Sequence, residues 1–328
     1  MESLEHVLSV EKPSAIFLQE TRLKRPGRIK TPSSSIYTWY ELHRTDKAEK
    51  GEGGGGLAIG VVNYLEPSWI SEGGDDAEAI TVEIWVEGFP VRLVCGYGPQ
   101  ECDSKDRKDS FWEYITKETI RANNEGAGLV LQMDGNLWAG ENVIKGDPNK
   151  QNMNGKRFEN FLNQNPHLTV TNALPICEGN ITRERFTKLG IERGVLDFFI
   201  VCDRMLPYVT KMLIDEKGEH ALTKYKGKQI VKADHHSLIL EMNLTFHMNL
   251  KHEQREIFNL KNPICQKQFK EFTSNTDRFT KCFMTNETLE VQYKRWQRQF
   301  QKSLHANFRK VRISEHKKGK IKVNWTCL

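Results

Sequence analysis

The order of apolar and polar stretches in this 328-residue chain predicts an α+β protein, two packed mixed β-sheets with helices outside them. Three observations carry that expectation. Short apolar runs bounded by Gly, Pro, Asn or Asp recur along residues 1–246, and several alternate with the period of two of a half-buried strand. Only two or three stretches there carry a helical period instead. No run approaches the ~18 apolar residues that a membrane-crossing helix needs, so the 38% hydrophobic content belongs in a core.

Residues 2–11 put Leu4, Val7 and Leu8 on one side of a short helix that Pro13 stops. The compact apolar run 15–18 ends in Gln19-Glu20-Thr21 and reads as a buried strand delivering polar residues at its end. Residues 22–50 are basic and rich in Pro and Ser, and read as a loop. The glycine cluster 51–56 opens a strand over 57–63; no Gly-Lys-Ser/Thr follows it, so it is read as a turn and not a phosphate cradle. Ile80, Val82, Ile84 and Val86 alternate as in a strand, and Gly88-Phe89-Pro90 turns it into a second over 91–97. Residues 105–123 read as a helix burying Phe111, Trp112, Ile115 and Ile120. A short strand, 129–133, stops at Asp134-Gly135-Asn136, and Asn154 is expected to cap a helix carrying Phe158, Phe161 and Leu162. Further strands are expected near 168–172, 181–186, 195–201, 208–214 and 237–244.

Charge divides the chain. Residues 247–328 hold 18 Lys and Arg against 7 Asp and Glu, whereas residues 1–246 hold 30 against 36. Such a shift marks a boundary, giving an expected domain 1–246 and a basic, largely helical connector or tail 247–328. The tail suits long-range attraction to a polyanion and, equally, a merely solvated helical face. Phe269, Phe272, Phe279 and Phe283, then Leu289, Tyr293, Trp296, Phe300, Leu304 and Phe308, recur at helical intervals. This stripe is read first as a packing face and second as a platform for bases. Seven cysteines without CxxC spacing fit reduced thiols and argue against zinc. The N-terminus lacks a basic stretch followed by an apolar one, so a nuclear or cytoplasmic rather than secreted protein is expected, with no membrane partner and with sequons Asn180, Asn243, Asn286 and Asn324 unused.

The informative residues are polar ones placed where an apolar sheet should exclude them. Glu20 follows AIFLQ, Tyr97 closes VRLVCGY, Asp134 and Asn136 follow LVLQM, and Asp197 lies inside VLDFFIV, with Asp234-His235-His236 before the strand at 237–244. Taken singly, each has an ordinary reading as an exposed strand end or a turn. Burying several charges becomes economical only where they converge on one cleft and satisfy one another or a metal.

In their order along the chain, QET (19–21), YGP (97–99), MDGN (133–136), LDFF (196–199) and ADHHSL (233–238) resemble the endonuclease/exonuclease/phosphatase superfamily. That group includes deoxyribonuclease I, the apurinic/apyrimidinic endonucleases and the nuclease domain of LINE-type (non-LTR) retrotransposons. The retrotransposon branch looks nearest, through IFLQETRL (16–23), GGGGLAIGV (53–61), ITRER (181–185) and GVLDFFIVCDRMLP (194–207). The resemblance spans about residues 2–244 and implies a four-layer α/β-sandwich. It also implies hydrolysis of phosphodiesters, here of DNA, with Mg²⁺ or Mn²⁺. By the same resemblance Glu20 and Asp234 match metal-side carboxylates, and Asp134 matches the acid that orients or deprotonates the attacking water. Asn136 matches an amide that holds phosphate and water, Tyr97 a donor to the phosphate, and His235 the histidine on the scissile phosphate with Asp197 as its partner. Whether His235 or Asp134 takes the water's proton is left open by spacing. The tail resembles the connector that leads, in such elements, toward a reverse transcriptase module.

The chain departs from the family pattern in three places. The family's N-terminal strand, which bears an asparagine, is absent ahead of Glu2, so a core sheet is expected to lack an edge strand and the site a ligand. Gln100 stands where asparagine is usual, and Ala233 where serine precedes Asp-His. Two other readings therefore accompany the nuclease: a phosphatase of the same superfamily, and a catalytically inactive remnant or nucleic-acid-binding module with the same fold.

Overall fold

In the computed structural model, residues 2–22, 29–43, 55–73, 76–188, 190–219, 223–226, 229–232 and 234–244 are described, with 257–258, 292, 296, 300, 310–311 and 323–327 beyond them. They divide into two units, 1–247 with 320–328, and 248–319.

The first unit begins with α1 (Glu2–Val10) and β1 (Ala15–Gln19). The stretch read as loop carries β2 (Tyr37–Leu42), whose YTWYEL pairs antiparallel with β3 (Leu57–Val62). Its aromatic and β-branched residues suit a pleated surface, a signal that the surrounding basic and Pro/Ser-rich composition masked. Next come β4 (Ser68–Glu72), β5 (Ala79–Val86) and β6 (Phe89–Tyr97). Gly88, at φ +81°, makes the β5–β6 turn. Helix α2 (Lys105–Asn124) crosses over to β7 (Gly128–Asp134), parallel to β6. Helix α3 (Met153–Gln164), β8 (Leu168–Val170), β9 (Cys177–Glu178), β10 (Arg183–Thr187) and β11 (Gly190–Gly194) follow. The rest are β12 (Asp197–Cys202), β13 (Val209–Ile214), β14 (Thr223–Lys226), β15 (Gln229–Lys232) and β16 (Leu238–Met242).

Two mixed sheets build the core. One has the order β4-β5-β6-β7-β12-β8. The other runs β2-β3-β1, then a strand from the far end of the chain, then β16-β13-β9. In the second unit β17 (Ile257–Phe258) pairs with β18 (Lys310–Val311), which makes the inserted strand β19 (Val323–Cys327). β19 lies parallel to β1, with Ala15 opposite Trp325, and antiparallel to β16, with Leu240 opposite Trp325. The expectation of a missing edge strand changes: β1 is an interior strand, and β19 fills the place beside it and alone joins the two halves of the sheet. Between the sheets, Phe17 meets Phe199 edge-on at 5.8 Å, both fully buried, each contributing about 2–3 kcal/mol by burial.

Two local expectations change. Ile120 is half exposed, because it lies outside the α2 stripe that buries Phe111 and Ile115. Asn152, not Asn154, caps α3, accepting the Gly155 N–H; Asn154 lies inside the helix and is buried. In the second unit, Gln292, Trp296 and Phe300 are helical, and the two rings stack at 5.3 Å. Phe269, Phe272, Phe279, Phe283, Leu289, Tyr293, Leu304 and Phe308 lie outside the described residues, as does Ala233. No described helix is long and apolar enough to cross a membrane.

Candidate active site

Register builds the site. In the six-stranded sheet, β6, β7 and β12 are neighbours, and pairing sets Tyr97 opposite Asp134 and Asp134 opposite Asp197. Three polar side chains thus form one row across the sheet at the ends of apolar strands. All three are buried. The backbone bends away from the row through glycines: a Cβ on Gly98 would lie 2.3 Å from the Gly135 carbonyl oxygen, so only glycine fits there. The Gly98 N–H donates to the Asp134 carbonyl and the Gly135 N–H to that of Leu196, both at 2.7 Å.

The loop before β16 brings His235 to this row. Its Nδ1 lies 2.9 and 3.1 Å from the two Asp197 carboxylate oxygens. Asp134, Asp197 and His235 each offer a ligand atom within 4.8 Å of the others, forming the cluster of this kind among the described residues that could hold a metal ion. Burial works against charge on the His235 ring, but Asp197, Asp134 and Asp234 outweigh it and push its pKa up to about 10. Burial, and then the Asp197 charge, push Asp134 up to about 7. Two carboxylates so close cannot both ionise freely without a cation between or beside them.

Glu20 reaches the row from the other sheet. It follows β1 in the left-handed region, at φ +49°, and its Oε1 accepts the Tyr97 hydroxyl at 2.7 Å while Oε2 lies 3.4 Å from Arg22. Its carboxylate is 45% exposed, unlike the row below it. Burial, then Asp134 and Glu20, raise the Tyr97 pKa and keep the phenol protonated. Asn136, also left-handed at φ +45°, folds back so that its N–H donates to Asp134 Oδ1 at 3.0 Å and its Nδ2 to the Gly98 carbonyl at 2.8 Å. Asp234 is turned toward Arg183, with Oδ2 3.5 Å from Nε. Gln100 is exposed, and its N–H donates to Asp103.

The structure therefore gathers Tyr97, Asp134, Asn136, Asp197 and His235, attaches Glu20 through Tyr97, and sets Asp234 beside the histidine. Two supporting residues escaped sequence reasoning, and a third, Asn154, reads in sequence only as a helix cap. Thr182 Oγ1 accepts the N–H groups of Leu196 and Asp197, while its carbonyl accepts the His236 N–H at 2.6 Å. One buried threonine thus pins both Asp197 and the histidine loop. Asn172 donates to the Asp197 carbonyl and accepts from Phe199 N–H. Asn154 donates to the Pro99 and Asn136 carbonyls, bracing both active-site turns. A neutral polar side chain whose partners are distant in sequence leaves no periodic signal, so only contacts reveal its role.

No protein-family profile matches the sequence, and no curated protein matches it significantly. Solved structures do. The endonuclease domain of TRAS1, a telomere-specific non-LTR retrotransposon, superposes with a TM-score of 0.53 at 17% identity, covering 74% of this chain and 92% of that one. The 3′-5′ exonuclease NExo from Neisseria meningitidis gives 0.51 at 17% identity over 74% and 93%. The AP endonuclease LMAP from Leishmania major gives 0.50 at 14% identity over 72% and 80%. The chain thus carries the endonuclease/exonuclease/phosphatase α/β-sandwich fold and resembles the LINE-type endonuclease domain within it.

Proposed function

We propose that this chain, on its endonuclease/exonuclease/phosphatase fold, is a metal-dependent phosphodiesterase that cleaves DNA, derived from a non-LTR retrotransposon. Residues 1–246, completed by β19 from the far end of the chain, are the catalytic domain, and the basic stretch between them is a connector toward a reverse transcriptase module in the parent element. The observation that supports this best is the Tyr97–Asp134–Asp197 row with His235 bonded to its end and Glu20 at its rim.

The donors fit a hard divalent cation, being carboxylate oxygens with one imidazole. A ring that holds two protons repels a cation, so Glu20, exposed at the rim, would hold the ion; Asp234, the second metal-side carboxylate by resemblance, is turned toward Arg183 and would have to leave it to take part. Bound there, Mg²⁺ or Mn²⁺ supplies charge neutralisation for the phosphate and the leaving oxygen. The chain's own residues do the rest. His235 keeps Nδ1–H on Asp197 and presents its other N–H to the phosphate, where negative charge grows. A ring already protonated cannot accept the water's proton. Asp134, with a pKa near neutrality, can, which favours it as the general base. Tyr97, protonated, donates a hydrogen bond, and Asn136 orients water and phosphate.

A polyanionic substrate is supported by the hairpin β10–β11 beside the histidine loop. There the Glu184 N–H donates to the Asp234 carbonyl, and Arg183, Arg185, Lys188 and Arg193 outnumber Glu184 and Glu192. Phe186 and Ile191, paired across it, are 76% and 50% exposed, an apolar tip of the kind that packs against bases.

The test is nicking of supercoiled plasmid with Mg²⁺ and with EDTA. The wild-type chain is expected to nick only with the metal, and Asp134→Ala and His235→Ala to lose at least a hundredfold in rate. Nicking retained by either variant, or by wild type in EDTA, overturns the assignment.

A further inference from the structure

One step below the active-site row, the same three strands present Cys95, Gln132 and Phe199 in register. Gln132 is fully buried and Cys95 likewise, in a layer otherwise built of aliphatic and aromatic side chains. From the opposite sheet Gln19, the last residue of β1, donates its Nε2 to Gln132 Oε1 and approaches Cys95 Sγ at 3.6 Å. Gln132 Nε2 finds no acceptor among the described residues. Burial holds the Cys95 thiol protonated, so this layer carries no charge beneath the acids.

A buried carboxamide pair that leaves one donor unmet is less favourable than two apolar residues of equal volume. Its position offers a reason. Gln19 precedes Glu20 directly, and Gln132 lies two residues before Asp134 on the same face of β7. The two acids stand on different sheets, and apolar packing between sheets is non-directional and leaves their offset loosely set. A hydrogen bond is directional. We propose that the Gln19–Gln132 amide bridge is a positioning device that sets the offset between Glu20 and Asp134. It acts through the backbone of β1 and β7 and touches no reacting atom. The inference rests on the reading of Glu20 as the metal-side carboxylate.

The full-length chain with Gln19→Met and Gln132→Met together removes the bridge while conserving volume. The readouts are thermal midpoint, Mn²⁺ affinity without substrate, and the kcat and KM of plasmid nicking. The double variant is expected to melt at or above the wild-type temperature, to bind Mn²⁺ about tenfold more weakly, and to lose roughly 10–100-fold in kcat with KM unchanged. Gln132→Met alone is expected to weaken Mn²⁺ binding in the same direction. Wild-type Mn²⁺ affinity and kcat in a folded double variant overturn the proposal. So do losses that merely track a lowered melting temperature, or variants that fail to fold, since these assign the pair to stability. A wild-type chain that binds no Mn²⁺ and nicks nothing refutes the functional reading first, and the bridge's role with it.

Discussion

Asp197→Asn separates the charge of the buried aspartate from its shape. The wild-type carboxylate holds His235 Nδ1 at 2.9 and 3.1 Å, and its backbone is fixed independently by Thr182 and Asn172. The amide therefore takes the same place without the charge. At 2.9 Å, two unit charges attract by about 1.4 kcal/mol even with the full screening of water, equivalent to one pKa unit. Partial burial makes the true loss larger, so the ring is expected to drop from about 10 to about 9 or lower. Asp134 loses a like-charged neighbour in the same substitution and moves down as well. Both limbs of the pH–rate profile should shift to lower pH together, because base and imidazolium share one partner. NMR titration of the His235 ring in EDTA, alongside nicking rates against pH, measures both shifts. A wild-type ring that titrates near 6.5, or a ring unmoved by the substitution, refutes the electrostatic account of the site.

Thr182→Val removes the acceptor shared by two buried N–H groups, and should cost about 1–3 kcal/mol in urea denaturation, with activity falling more than stability because Asp197 is released. Trp325→Pro deletes a backbone donor in the strand that joins the halves of the seven-stranded sheet. A loss of at least about 2 kcal/mol is expected, and a thermal midpoint unchanged within 1–2 °C would remove β19 from the sheet. Metal-free stability should also follow pH. Asp134, held up to about 7 mainly by burial, binds its proton more tightly folded than unfolded. Its contribution is therefore fully present below pH ~4 and is lost as pH rises through ~7. Asp134→Asn should flatten that slope in chemical denaturation with EDTA, and an unaltered slope counts against the buried carboxyl as its source.

Local chemistry made most of the fold legible in the sequence. Apolar runs at 15–18, 57–63, 80–97, 129–133 and 195–201 became strands because period and punctuation act over a few residues. The polar residues ending those runs stood out because an apolar sheet has no place for them, and their order along the chain carried the family resemblance. Residues whose purpose lies in a distant partner were not legible. Asn154 has the composition of a cap but braces two turns. Thr182, Asn172 and the Gln19–Gln132 pair are neutral residues whose partners lie between 14 and 113 positions away.

Tertiary structure also decided where the last strand goes: five residues at 323–327 have no preference for β1 over any other edge until β1 and β16 present two unpaired backbones side by side. The sequence by itself thus determined most of the core strands, though not β2 or β19, and which side chains sit at their ends. Only the assembled sheets decided which acid lies against which base, because a pKa and a hydrogen bond depend on distances across strands that no local pattern encodes.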